Sequence, residues 1–218
     1  MNNSIEFIGH IVYFFMHLDQ HLIWVLEQYG NWIYLLLFLI IFCETGVVVT
    51  PFLPGDSLLF VVGAMSAHMA LNVSGIFLLL SLAAIAGDTV NYWVGAYVGP
   101  AIFEKKTVRF LNKEHLQKAQ QFYEKHGGRT IVLARFIPII RTFAPFVAGI
   151  AKMHYSHFMR YNIIGGILWN ALFIFSGYFL GHLPVVQKNF TPIIYAMILL
   201  SLLPIVIEYV RSRRKKSV

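Results

Sequence analysis

No lysine or arginine occurs before Lys105, and only 12% of the 218 residues are charged. The first 104 residues hold seven acidic side chains and no basic one, a net −7; the remainder, with 17 basic and 3 acidic, carries +14. Such one-sided charge can mark a nucleic-acid binder, but 58% hydrophobic content and a mean hydropathy of +0.67 exclude that class and a soluble domain alike. Basic residues confined to the flanks of apolar segments instead mark the cytoplasmic side of a polytopic membrane protein. Cysteine is nearly absent: Cys43 stands alone, so an internal disulfide and a Cys-rich metal site are both excluded. No HExxH pattern accompanies the early histidines His10, His17 and His21, so no metal or cofactor is expected. A basic n-region with a small-residue cleavage site is lacking too, and no removable signal is expected.

What is present is organised around CETGVVVTPFLPGD, Cys43 to Asp56. It sets Glu44 and Asp56, with Pro51, Pro54 and Gly55, inside one of the most apolar regions of the chain. A charge in hydrocarbon costs roughly 2.5–3.5 kcal/mol even on translocon scales. Prolines there release backbone groups that lipid cannot satisfy. The segment must be buried in protein or line a wet cavity.

The expected fold is all-α and polytopic: two opposed re-entrant helical hairpins in inverted repeats, about three full spans, and interfacial amphipathic helices. Residues 1–29 read as an amphipathic helix, from apolar positions at helical spacing. Residues 30–210 form the transport domain. From Trp32 to Ala67 the chain is too long for one span of about 20 residues and too short for two with a turn. A hairpin over 32–67, tipped at TPFLPGD, fits it. Ile76 to Val98 is a span carrying Asp88, Asn91 and Tyr92; 104–129 is a charged amphipathic segment on the cytoplasmic side. Thr130 to Ala151 has the length of one span but contains Arg135, Pro138, Arg141 and Pro145, with basic residues at both ends. That pattern predicts a second hairpin over 130–151, broken at Pro138 and Pro145 and opening inward. Tyr161 to Leu180, with Asn162 and Trp169, goes out, and Ile193 to Val210 returns to a basic tail, 211–218, in the cytoplasm. Each half pairs a Pro-interrupted hairpin with a span ending in GxxxG, Gly95/Gly99 and Gly177/Gly181, a plan that transporters use repeatedly.

Taken singly, Asp56 could cap a helix and the arginines could pin loops. Together, two acids in one hairpin and two arginines in the other compensate each other across a shared cavity. Arginine stays charged and offers a planar fork to phosphate. The acids can exchange protons, which arginine cannot. The constellation points to an anionic headgroup held by Arg135 and Arg141, with Glu44 and Asp56 coupling protons.

Glu44 with PFLPGD, GDTVNYWVG, HGGRTIVLARFIPIIRTFAPFVAGIAKM, and Phe158 before YNIIGGILW carry a further signal. From about His17 to the basic tail, the chain resembles the DedA family of membrane proteins (VTT, or SNARE-associated-like). One departure stands out: many members carry arginine in YxxGRxxG, where this chain has Ala96. The resemblance implies a multi-pass bacterial inner-membrane protein, dependent on the proton-motive force. Such a protein moves a phosphate-bearing lipid, for example undecaprenyl phosphate or phosphatidylethanolamine, as a flippase or scramblase. It also implies the acidic pair Glu44/Asp56 and the arginine pair Arg135/Arg141. Asp88, Asn91, Tyr92, Asn162 and Trp169 are accessory candidates. The partners expected are an anionic or zwitterionic lipid and protons, with no nucleic acid; a homo-oligomer is compatible with the pattern. A proton-coupled antiporter of small cations or drugs is the alternative, and two arginines beside the acids weigh against it. An enzyme is not expected, because no catalytic pattern forms around His154 and His157.

Overall fold

The computed structural model describes residues 30–47, 55–67, 71–104, 127–184, 186 and 192. These are helical where they are regular, with no strand among them. Six helices follow in order: α1 (Trp32–Gly46), α2 (Gly55–Ser66), α3 (Val73–Glu104), α4 (Arg129–Ala134), α5 (Pro138–Ile150) and α6 (Tyr155–Gly181). The helix expected over 1–29, the breaks at Pro51 and Pro54, nearly all of the 104–129 segment, the last span and the tail lie outside the described residues.

Two helices are long and apolar enough to cross a bilayer, each over 27 residues: Val73–Gly99 within α3, and α6. At 1.5 Å per residue either covers the roughly 30 Å hydrocarbon core with length to spare. Both run longer than the spans expected from hydropathy, because helical backbone continues into flanks that hydropathy does not count. Asn72 starts α3 as its N-cap, its Oδ1 accepting a hydrogen bond from Gly75 N at 3.0 Å. α1 and α2 are apolar but shorter, as is Ile140–Ile150 within α5.

The second expected hairpin resolves into two short helices. α4 ends at Arg135; Ile137 is extended, and Pro138 opens α5 at its first turn, where the missing N–H costs nothing. α4 and α5 pack against each other. Pro145 corrects the expectation: it lies inside α5 and does not break it. Proline in a helix interior removes one i→i−4 bond, and apolar packing around a short helix compensates for it. α5 closes with Lys152 N donating to Gly149 O and Met153 N to Ala148 O, both at 3.0 Å. Lys152 holds φ +54° there, the left-handed position that favours glycine. Lys152→Gly is expected to stabilise the protein by about 1 kcal/mol, as a higher melting temperature in detergent.

The chain divides into two compact units, residues 1–37, 54–76 and 172–218 in one and 38–53 and 77–171 in the other. In the first, α2 is buried along nearly its whole length and meets the end of α6 backbone to backbone. A Cβ at Gly177 would collide with the Phe60 carbonyl, and one at Gly181 would press on Ala64. In the second, α3 meets α5 the same way, Gly95 against Phe146 and Gly99 against Ile150. Each GxxxG pair therefore serves a helix contact inside its own unit. The core of the second unit joins Tyr92, Ile131, Ala134, Ala144, Ala148, Ala151 and Phe158. Leu78, Leu82, Trp93 and Leu168 face outward, while Glu44, Asp88, Arg135 and Arg141 are buried. The polarity is that of a protein solvated by hydrocarbon.

Candidate functional site

The second unit collects its charges in one place. The end of α1 supplies Glu44, α3 supplies Asp88 and Asn91, the α4 terminus supplies Arg135, α5 supplies Arg141, and α6 supplies Asn162 and Trp169. All are at most 4% exposed, which sets the energetic problem: buried charges persist only if paired and hydrogen-bonded.

They are paired one to one. Arg141 Nη2 donates to Glu44 Oε1 at 2.6 Å, and its guanidinium carbon lies 4.7 Å from the centroid of the Trp169 ring. The indole face adds cation–π attraction and keeps the fork planar against α6. Arg135 Nη2 lies 2.5 Å from Asp88 Oδ2. The same nitrogen donates to Asn162 Oδ1 at 2.5 Å and to Ala84 O at 3.2 Å. Asn162 in turn donates to Ile85 O at 3.1 Å and Thr89 Oγ1 at 3.4 Å, so α6 grips α3 through one amide. The two acids and two arginines leave this cluster without net charge.

Asn91 ties the cluster's walls together. Its Nδ2 donates to Thr45 O at 3.1 Å, near the carbonyl end of α1, and to Thr142 O at 2.7 Å on α5. Helix ends leave carbonyls without intrahelical partners, and a buried amide is an economical donor for them. Gly87 allows the approach: a Cβ there would strike the Thr45 hydroxyl.

The residues expected from sequence are thus distributed unevenly. Glu44, Arg135 and Arg141 come together, and so do Asp88, Asn91, Asn162 and Trp169. The expected compensation of both arginines by Glu44 and Asp56 changes within this unit: the acid beside Arg135 is Asp88. Asp56 belongs to the other unit, half-buried in the first turn of α2, where Gly55 is the first residue. Tyr92 sits in the core, stacked on Phe158 with centroids 4.5 Å apart, and its hydroxyl donates to Met153 O at 2.5 Å. Sequence reasoning passed over Gly165 and Gly166, whose bare Cα atoms leave room for Arg135, and Thr142, whose carbonyl Asn91 holds. The doubled glycine in YNIIGGILW was the available signal. No cluster of side chains suited to a metal ion occurs among the described residues.

Comparison with known proteins adds what geometry cannot. The VTT domain matches residues 53–179. Protein DedA of Escherichia coli K12 is 51% identical over 211 residues, 96% of each chain. A membrane protein of Mycobacterium tuberculosis is 42% identical over 180 residues, covering 82% of this chain and 79% of the relative. The inner membrane protein YqjA of Escherichia coli K12 is 35% identical over 175 residues, covering 80% and 78%. No solved structure gives a significant match. With buried charge pairs inside an apolar exterior and identity that spans nearly its whole length, the chain is a membrane protein of the DedA family.

Proposed function

We propose that this protein moves a phosphate-bearing lipid, such as undecaprenyl phosphate or phosphatidylethanolamine, across the inner membrane, driven by the proton-motive force. The observation that carries this reading is the pair of fully buried arginines, each matched to a carboxylate, in a helical membrane protein. Intramembrane ionisable residues are costly and mark transport paths by default. Guanidinium is the side chain suited to phosphate oxygens, and carboxylates are suited to carrying protons against it. In this reading α1/α2 and α4/α5 are the two re-entrant hairpins, Glu44 and Asp56 carry protons, and the C-terminus is cytoplasmic. The protein is a transporter and not an enzyme. Its name-bearing relatives are called membrane or inner membrane proteins, which supports the location and leaves the cargo to experiment.

The test is purified protein in liposomes under an imposed proton gradient, given labelled undecaprenyl phosphate, labelled phosphatidylethanolamine and a cationic drug. Lipid movement that collapses with the gradient is expected. Glu44→Gln combined with Asp56→Asn should abolish the driven component. Movement of the drug alone would overturn the lipid reading in favour of a cation antiporter.

A further inference from the structure

The two ion pairs are built differently, and the difference assigns them different work. Glu44 and Arg141 share a hydrogen bond as well as a charge contact, under the Trp169 ring. At the other pair, Nη2 of Arg135 has two hydrogens and three oxygen neighbours. Its hydrogen bonds go to Ala84 and Asn162, and neither carboxylate oxygen of Asp88 has a hydrogen-bond partner. Asp88 is therefore held by charge alone. Nε and Nη1 of Arg135 are buried with no hydrogen-bond acceptor either, leaving three N–H bonds unused. Buried donors in that condition are costly, each about 1–3 kcal/mol, and rare in finished structures. The neighbouring helix leaves them uncovered: a Cβ on Gly166 would lie 3.3 Å from Nη1, and one on Gly165 3.5 Å from Nε.

We infer that Asp88 is the counter-ion that gives way: an anionic phosphate takes Arg135 through its Nε and Nη1 hydrogens while Asp88 takes a proton. Phosphate and proton then enter this site together. The inference rests on the lipid reading above and adds a third acid to Glu44 and Asp56, at the point where the cargo binds. Charge balance demands the proton. The cluster is neutral with both acids ionised, and a singly charged phosphodiester would leave it at −1 inside a low-dielectric interior. One proton restores neutrality. The charged and polar groups facing Asp88 come from four helices: Arg135 on α4, Arg141 on α5, Asn162 on α6 and, behind Arg141, Glu44 on α1. Of the acids in this cluster, Glu44 is the one already hydrogen-bonded to its arginine. Asp88 loses least on being replaced.

Binding of a short-chain phosphatidylglycerol to the full-length protein in weakly buffered detergent, with a pH-indicating dye, tests this. Wild type should take up about one proton per lipid bound, and its affinity should rise about tenfold per unit fall in pH. Glu44→Gln should keep that uptake. Asp88→Asn should bind as tightly at alkaline as at acidic pH and take up none. Uptake that survives Asp88→Asn, or vanishes in Glu44→Gln alone, overturns the assignment. Should Asp88→Asn fail to fold, the infrared difference spectrum of wild type decides: a protonated-carboxyl band must appear on lipid binding, and its absence overturns it. Lipid binding without proton uptake defeats this inference and spares the lipid reading; a protein that binds the cationic drug and no phospholipid at any pH defeats both.

Discussion

Arg141→Ala is expected to destabilise the protein by about 3–5 kcal/mol, and Glu44→Ala in the same chain to restore most of that loss. The single change leaves Glu44 ionised, fully buried and stripped of a donor at 2.6 Å. The double change removes both charges and leaves a cavity whose cost is a separate, smaller matter. Transport should behave otherwise. If Arg141 contributes to holding a phosphate, folding returns in the double variant and lipid movement does not. The cycle is scored twice on the same four proteins, by folded yield in detergent and by lipid movement in liposomes. Recovered movement in the double variant would mean that the pair only holds the end of α1 to α5, with the lipid bound elsewhere.

At Arg135 the expected result is a graded loss: lysine should slow transport at least about tenfold, and alanine about a hundredfold or more. Hydrogen bonds to charged groups are worth about 1.5–3 kcal/mol each, and 1.4 kcal/mol is tenfold. A lysine ammonium can stand near Asp88 as a point charge. It cannot also satisfy Ala84 O and Asn162 Oδ1 from one nitrogen and still present a second edge to a phosphate. Rates at unchanged folded yield, measured on both variants, separate the cases. A fully active Arg135→Lys would show that charge alone suffices and that fork geometry plays no part. Because Gly165 sits against the aliphatic stem of Arg135, Gly165→Val should resemble Arg135→Lys through displacement of an intact guanidinium.

Much of this protein could be read along the chain. Hydropathy alone separates it from soluble proteins, since no water-soluble domain of 218 residues is built with so little charge. The helix starts at Asn72 and Pro138 are local chemistry, a side-chain cap and a fixed φ, and local chemistry survives without tertiary contacts. Glu44, Arg135 and Arg141 stand out in sequence for the same reason: a charge within apolar sequence is conspicuous wherever the chain goes. The pairing of those charges is a different kind of fact. Arg141 meets Glu44 across 97 residues, and Arg135 meets Asp88 where Asp56 had been expected to share the balance. Nothing in spacing or periodicity says which acid on which helix will face a given guanidinium, because helical periodicity defines a face and not its neighbour. Pro145 makes the same point in reverse. Its sequence signal is a helix break, yet α5 runs through it, because packing of α5 against α3 at Gly95 and Gly99 outweighs one missing hydrogen bond. The residue types were set by the hydrocarbon environment; their partners were decided only by close packing of the helices.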